Sequence, residues 1–348
     1  LFEIYFPRIL IPFMAIAASD AQATERLLAE ARRLLVICHR GPDGDAIGSL
    51  TGMALLLEQR FPNVPVSMHC VDPCPDTFRF ITAAQRMQGP PDIREGDVAV
   101  IVDCAEPKLT QMHLTHPQLF DGTIKTVNID HHPSNPAFGT QNLIDIAAAS
   151  TCEIVVALAD ALRWPITNDI ATCLLTGVYT DTGGLVHSNT TAEVYRTVAR
   201  LLRAGARQQM IVTAVFRTAS LSTLKLWGRV LEKITVTEEG GAVSAVTEGD
   251  FRATGADPSA LAGAIDYVNA VPGMRFSMVL SERDGKVKGS LRTLRDDVDV
   301  AAMAGKLDGG GHKKAAGFAV TGKLKPEIRW KVVEEATTPS LPSDAQGA

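Results

Sequence analysis

Eight side chains of two chemical types recur in short polar segments of this chain: His39, Asp43 and Asp45 in HRGPDGDAIGS, Asp103 in VDCAEP, Asp130, His131 and His132 in IDHH, and Asp181 in TDTGG. Carboxylates gathered in one place repel one another and rise in pKa unless a cation compensates. An oxygen-rich set with imidazoles suits divalent ions, Mn²⁺ first with Mg²⁺, Fe²⁺ or Co²⁺ as alternatives, better than it suits a thiolate-type zinc site. One shared carboxylate flanked by two ligand groups would serve two such ions about 3.5–4 Å apart, an arrangement that hydrolyses phosphoesters.

Such a set must be delivered by regular elements. LLVIC runs into His39, DVAVIV into Asp103 and KTVNI into Asp130, each run short and β-rich, and VPVSMHC supplies a further strand. Helical periods occupy ATERLLAEARR, DAIGSLTGMALLLEQRF, ASTCEIVVALADALRW and NDIATCLLTGVYTDTG, the last carrying Asp181. This alternation predicts an α/β fold with a mainly parallel sheet and helices on both faces. Ligands of such sheets bind outside the strand carboxyl ends, where these segments would converge.

The chain changes texture further on. Residues 206–233 read as a helical connector. Beyond it, ITVTEEGGAVSAVTEGD and RFSMVLSERDGKVKGSLRT have the pattern of hairpins and DVAAMAGKL that of a short helix, so a smaller α+β domain is expected over 234–330. The first domain is expected over 21–205, after an extension over 1–20 in which Met14 is read as the start. The polar segment 331–348 reads as a disordered tail.

With 348 residues, 46% of them hydrophobic and 21% charged, the chain suffices for two cores. Its net charge of -5 argues against affinity for long duplex nucleic acid, which rests on many phosphate neutralisations, and leaves small anionic substrates open. Residues 275–325 nevertheless hold eleven Lys/Arg against six Asp/Glu, so a local anion pocket is expected there. Gly309, Gly310 and Gly311 lack a Cβ and could present N–H groups to an anion in a nest, or could form a plain glycine turn. Six cysteines without paired zinc-type spacing read as reduced thiols of a cytoplasmic protein. LFEIYFPRILIPF is interrupted by Glu3, Pro7, Arg8 and Pro12, so neither a signal peptide nor a membrane anchor is expected.

Alone, each polar segment has an ordinary reading: His39 as a polar strand end, the DG pair as a turn, Asp103 and Asp181 as caps or turn residues. The information lies in their order and their placement at strand ends. On HRGPDGDAIGS, VDCAEP, IDHH with Pro133, and TDTGGLVHSNTT, the chain resembles the DHH phosphoesterase family, in the branch of nanoRNases and pAp phosphatases that carries a DHHA1 domain. The resemblance spans residues 30–322, and GSLRT at 289–293 with GGGHKKAAGF at 309–318 is similar to the DHHA1 substrate-binding signature. Asp308 and Thr293 depart from it, standing where the family usually has glycine and serine.

The resemblance implies that His39 and Asp43 hold one ion, that Asp45, His131 and Asp181 hold the other, and that Asp103 bridges both. It places His132 beside the scissile phosphate, as proton donor or charge stabiliser, with Asp130 orienting an imidazole. Ser290, Arg292, Gly309, Gly310, Gly311 and His312 would bind substrate. The implied substrates are short oligoribonucleotides of the pApA type and 3′-phosphoadenosine 5′-phosphate, handled by a monomer or homodimer without a membrane partner. Two readings stay beside this one: a cyclic-dinucleotide phosphodiesterase, and a nucleotide-binding regulator without catalysis. A family-type inorganic pyrophosphatase is disfavoured, because its second domain lacks GGGHKKAAG. Trp227 and Trp330 read as core side chains rather than stacking platforms.

Overall fold

The computed structural model describes residues 16–217, 219–261 and 263–325. The opening apolar segment, Met14, Trp330 and the tail over 331–348 lie outside the described residues. The chain divides after residue 218 into two units, each with a core of its own.

In the first unit, α1 (Ala18–Ala29) leads into β1 (Arg33–Ile37), α2 (Gly44–Arg60), β2 (Val66–His69), β3 (Asp97–Val102), β4 (Lys125–Asp130) and β5 (Gln141–Ile144). Four helices follow: α3 (Thr151–Ala161), α4 (Asn168–Asp181), α5 (Ala192–Arg203) and α6 (Gln208–Ile211), the last continuing as a π-helical turn over Val212–Phe216. All five strands are parallel, in the order β2-β1-β3-β4-β5. Burial on both faces explains their near-continuous apolar runs: Leu34 and Val36 enter one core, Leu35 and Ile37 the other, and every residue of β3 is buried. Helices α1 to α5 pack on the first face. The second is closed by 3-10 turns at Pro107–Thr110 and Pro117–Leu119, with Met112 and Leu119 against Ile37 and Ile101.

Helical segments thus cover both faces of the sheet, as expected. Strand β5 is an addition: QNLI offers no apolar run, and its pairing with β4 extends the sheet where local propensity is weak. The sheet grows in one direction from β1 to β2 and in the other from β1 to β3, which opens a crevice at the carboxyl ends of β1 and β3. Helices α2 and α4 approach closely above it. A Cβ at Gly48 would lie 2.6 Å from the Cys173 carbonyl oxygen, and one at Gly52 would lie 2.5 Å from Leu174 Cδ2.

The second unit begins with α7 (Leu221–Glu232), whose Leu226 and Val230 are fully buried in its core; the segment read as a connector is therefore shared, since Ile211 of α6 packs in the first unit. Strands β6 (Thr235–Val236) and β7 (Gly241–Val246) form the first hairpin, and α8 (Glu248–Thr254) and α9 (Ala264–Asn269) follow. Strands β8 (Phe276–Arg283) and β9 (Lys286–Arg292) form the second hairpin, turning at Asp284 and Gly285 with φ of 51° and 70°, as an Asp-Gly type I′ turn requires. Helix α10 (Val300–Gly305), β10 (Gly310–His312) and β11 (Ala315–Thr321) complete a mixed sheet in the order β10-β11-β9-β8-β7-β6. Helices α7 and α9 pack on one face of it and α10 on the other. Trp227 belongs to this core, donating from Nε1 to the Ala260 carbonyl at 2.6 Å.

The glycine segment differs from a nest. Gly310, Gly311 and His312 pair with Gly317, Ala316 and Ala315 in an antiparallel ladder, and the Gly309 N–H is donated to the Ala304 carbonyl at 3.0 Å. The reason for glycine is close approach: a Cβ at Gly309 would lie 2.3 Å from the Gly317 carbonyl oxygen, and one at Gly311 2.6 Å from that of Ala315. Asp308 adopts φ of 56°, a left-handed conformation most cheaply taken by glycine and tolerated by aspartate. Thr293 is buried and donates to the Arg275 carbonyl at 2.7 Å, a bond internal to the sheet end.

Candidate metal centre

The carboxyl ends of β1, β3 and β4, with the start of α2 and the end of α4, bring all the aspartates and histidines singled out in the first unit to one place. Past β1, Gly41 takes φ of 58° and donates its N–H to Asp72 at 2.7 Å, and the loop swings into the start of α2. Asp43 caps that helix, accepting from the N–H groups of Asp45 and Ala46 at 3.1 and 3.0 Å. Asp45 sits in the first turn, buried. After β3, Asp103 takes φ of 54°, a left-handed residue that turns the chain sharply at the strand end. Asp181 ends α4 at the same crevice.

Three overlapping groups of ligand-type atoms result, each compact enough to hold a metal ion: His39–Asp43–Asp103 and Asp45–His131–Asp181, which have no residue in common, and Asp103–His131–His132, which joins them. Asp103 faces both of the separate groups. Its Oδ2 lies 3.5 Å from His39 Nε2 and its Oδ1 3.7 Å from His131 Nε2. Asp43 Oδ1 is 3.9 Å from His39 Nε2, while Asp45 Oδ2 and Asp181 Oδ2 are 3.9 and 3.4 Å from His131 Nε2. His132 stands beside them, Nδ1 2.8 Å from Asp130 Oδ1 and 3.8 Å from Asp103 Oδ1. Asn135 Nδ2 in turn donates to Asp130 Oδ2 at 2.7 Å.

The electrostatics of this cluster call for cations. Burial, with Asp45 and Asp103 nearby, pushes Asp181 up to about 11. Asp45 is likewise driven well above the carboxylate range, by burial first and then by Asp103. Burial would raise Asp103 as well, but the imidazoles of His39, His131 and His132 hold it below its usual value. Burial would lower His39, yet Asp103 holds it at about 9. Protons thus balance the charge wherever no metal does. A donor set of four carboxylates and two imidazoles that retains protons for want of positive charge fits divalent ions.

Three positioning residues escaped the sequence. Thr151 and Cys152, at the start of α3, donate their N–H groups to the two oxygens of Asp45 at 2.6 and 3.0 Å, so a helix N-terminus holds this carboxylate. The Thr151 hydroxyl donates to Asp103 Oδ1 at 3.0 Å, so one residue ties the two metal groups together. Asn189 Nδ2 donates to the Asp181 carbonyl at 3.2 Å. A signal for the first two was present: Ser150 and Glu153 have capping-box spacing and mark a helix start. Nothing local says which carboxylate that start would meet.

Thr151→Val keeps the N–H bond to Asp45 and removes the hydroxyl bond to Asp103. Second-sphere partners of this kind typically contribute about 10–100-fold in metal affinity or activity. A loss in that range is expected in calorimetric Mn²⁺ titrations, with Thr151→Ser close to the parent; parent-like affinity in Thr151→Val would remove the hydroxyl from the assembly.

In the second unit, Ser290 and Arg292 project from the same face of β9. In the ladder Ser290 lies opposite Gly317 and then Gly310, and Arg292 opposite Ala315 and then His312. These four substrate-binding candidates share one face, with only small side chains between them. Gly309 precedes the strand, and Gly311 falls on the alternate face toward α10. Lys314 is engaged by Asp296 at 2.7 Å. No helix among the described residues is long and apolar enough to cross a membrane.

Comparison with known proteins agrees with this organisation. The model of the DHH family, N-terminal domain, matches residues 33–178, and that of the DHHA1 domain matches residues 238–338. The chain is 34% identical over 316 residues to the bifunctional oligoribonuclease and PAP phosphatase NrnA of Thermus thermophilus, covering 89% of this chain and 92% of that one. It is 25% identical to the cyclic-di-AMP phosphodiesterase PdeA of Listeria monocytogenes over 84% of this chain but 45% of the relative. A crystal structure of an exopolyphosphatase-related protein from Bacteroides fragilis shares the fold, with a TM-score of 0.79 at 24% identity over 90% of this chain and 94% of that one. The chain belongs to the DHH family and joins a DHH N-terminal domain to a DHHA1 domain.

Proposed function

We propose that this protein is a metal-dependent phosphoesterase that hydrolyses short oligoribonucleotides to mononucleotides and removes a phosphate from 3′-phosphoadenosine 5′-phosphate. The observation that carries this reading is Asp103, whose two carboxylate oxygens face two separate ligand groups. A binding module has no use for that arrangement. The curated relative that covers nearly the whole chain is named for both activities. The cyclic-dinucleotide reading rests on a relative of which the chain spans less than half.

In this proposal His39 and Asp43 hold one divalent ion, Asp45, His131 and Asp181 the other, and Asp103 both, with Mn²⁺ the first choice and Mg²⁺, Fe²⁺ or Co²⁺ as alternatives. When bound, the ions neutralise charge on the phosphate and acidify water at neutral pH. His132 donates Nδ1–H to Asp130, which raises the imidazole pKa and leaves Nε2 free to give its proton to the leaving oxygen. Asn135 keeps Asp130 turned toward His132. Ser290, Arg292, Gly310 and His312 bind the nucleotide on their shared sheet face. The buried thiols Cys38, Cys104, Cys152 and Cys173 support work in the reducing cytoplasm.

Chelation is expected to abolish turnover and added Mn²⁺ to restore it. Initial rates on pApA, 3′-phosphoadenosine 5′-phosphate, cyclic di-AMP and pyrophosphate should rank in that order, with the first two far ahead. Cyclic di-AMP in first place would hand the assignment to the phosphodiesterase reading. Tight nucleotide binding with no Mn²⁺-dependent release from any of the four would leave a regulator.

A further inference from the structure

A groove of about 360 Å³ in the second unit reaches beyond the substrate-binding candidates. Its floor is β9, where Lys288, Ser290 and Arg292 project from alternate positions, beside Val279 and Ser281 of β8. Its wall is the turn into α9, with Pro258, Leu261, Ile265 and Asp266. The volume lies at the small end of ligand pockets and is of the size of one nucleoside. Lys288 and Ser290 are exposed and Arg292 is half-buried.

The cations in the groove lack anionic partners among the described residues, although Arg292 Nη1 donates to the Leu291 carbonyl at 3.0 Å. Three neighbouring cations of the same unit are matched, Arg283 to Asp284 at 2.9 Å, Arg295 to Asp297 at 2.7 Å and Lys314 to Asp296 at 2.7 Å, while among the described residues Lys286 and Lys313 outside the groove are not. Among the described residues neither Lys288 nor Arg292 has such a partner. Asp266, the carboxylate of the wall, forms no ion pair with them and is free to accept a hydrogen bond from a ribose hydroxyl or a base amine. Along a strand the four-residue separation of Lys288 and Arg292 amounts to about 13 Å. That is wider than one phosphate-to-phosphate step, but both side chains are long and can lean toward each other, so with a serine between them and a nucleoside-sized hollow alongside they suit two phosphates of one single strand rather than one isolated phosphate.

We propose that this groove is a subsite for a further nucleotide of the substrate, with Lys288 holding a phosphate beyond the one held at Arg292. The proposal rests on the oligoribonuclease reading and deepens it: it names chains of three or more nucleotides as substrates that this face grips more tightly than it grips pApA. Lys288 then contributes nothing to 3′-phosphoadenosine 5′-phosphate or pApA, which have no phosphate left for it.

The test is Lys288→Ala in the full chain with Mn²⁺, assayed on 3′-phosphoadenosine 5′-phosphate, pApA and pApApA. The KM for pApApA is expected to rise about five- to tenfold with kcat unchanged, while both smaller substrates stay within about twofold of the parent. Lys288→Arg should restore the KM. In anisotropy titrations of a 5′-labelled trinucleotide, the slope of log affinity against log salt should become shallower by about 0.7, the value for one single-strand phosphate contact. An equal effect on all three substrates, or none on any, overturns the subsite. Failure of the parent to cleave any of them would instead sink the oligoribonuclease reading, and the binding titration would still decide the role of Lys288.

Discussion

Asp103→Ala is expected to lower Mn²⁺-dependent hydrolysis of pApA by about a thousandfold or more. The two ions of such a centre contribute several kcal/mol of charge stabilisation to the transition state, and each 1.36 kcal/mol is a factor of about ten in rate. Asp103 is the one carboxylate whose separate oxygens approach both groups, 3.5 Å from His39 and 3.7 Å from His131. Its removal is therefore expected to weaken metal binding at both groups together. It also leaves the Thr151 hydroxyl without its acceptor and His39 without the anion that raises its pKa. Calorimetric metal titration should show reduced occupancy at both positions. Asp103→Asn, close in shape but neutral, separates charge from packing and should be nearly as inactive. Turnover near that of the parent at saturating Mn²⁺ in either variant would mean that Asp103 does not bridge.

Gly177→Ala is expected to damage stability and the metal centre together. In the interior of α4 alanine is the better helix former by about 1 kcal/mol. The site reverses that preference. A Cβ at position 177 would lie 2.4 Å from Asp45 Oδ1 and 2.4 Å from Cys152 Sγ, both buried. Neither can retreat easily, because Asp45 is held by two N–H groups of α3 and Cys152 lies in the first turn of that helix. Overpacking a site of this kind costs about 1–3 kcal/mol and here belongs at the upper end, so a net loss near 2 kcal/mol is expected. That corresponds to a fall of about 4–8 °C in the Tm of the first unit. Weaker Mn²⁺ binding should accompany it, since Asp45 must move to admit the methyl group. Unchanged Tm and metal affinity would show that the helices separate there without cost.

Gly177 also marks the limit of the sequence. Inside NDIATCLLTGVYTDTG it looks like a tolerated glycine in an amphipathic helix, and nothing local reveals that Asp45 presses against it. Thr151 is similar: its capping context is legible, its two carboxylate partners, 48 and 106 residues away, are not. Strand β5 was invisible because its pairing with β4, rather than its composition, makes it a strand. The glycine segment 309–311 was seen but misread, since a ladder and a nest ask for the same missing Cβ.

By itself the sequence determined which polar side chains gather and at which edge of the sheet. Apolar β-rich runs ending in histidine and aspartate can only place those residues at strand carboxyl ends, and alternation with helices makes the sheet parallel, so the ligands had to meet at one edge. Tertiary structure alone decided which oxygen faces which imidazole, that a helix N-terminus holds Asp45, and that Lys288 stands uncommitted beside a nucleoside-sized hollow. Periodicity is a property of neighbours along the chain and can be read from it. Distances, burial and the pKa shifts that follow depend on residues brought together from far apart, and those exist only once the chain has folded.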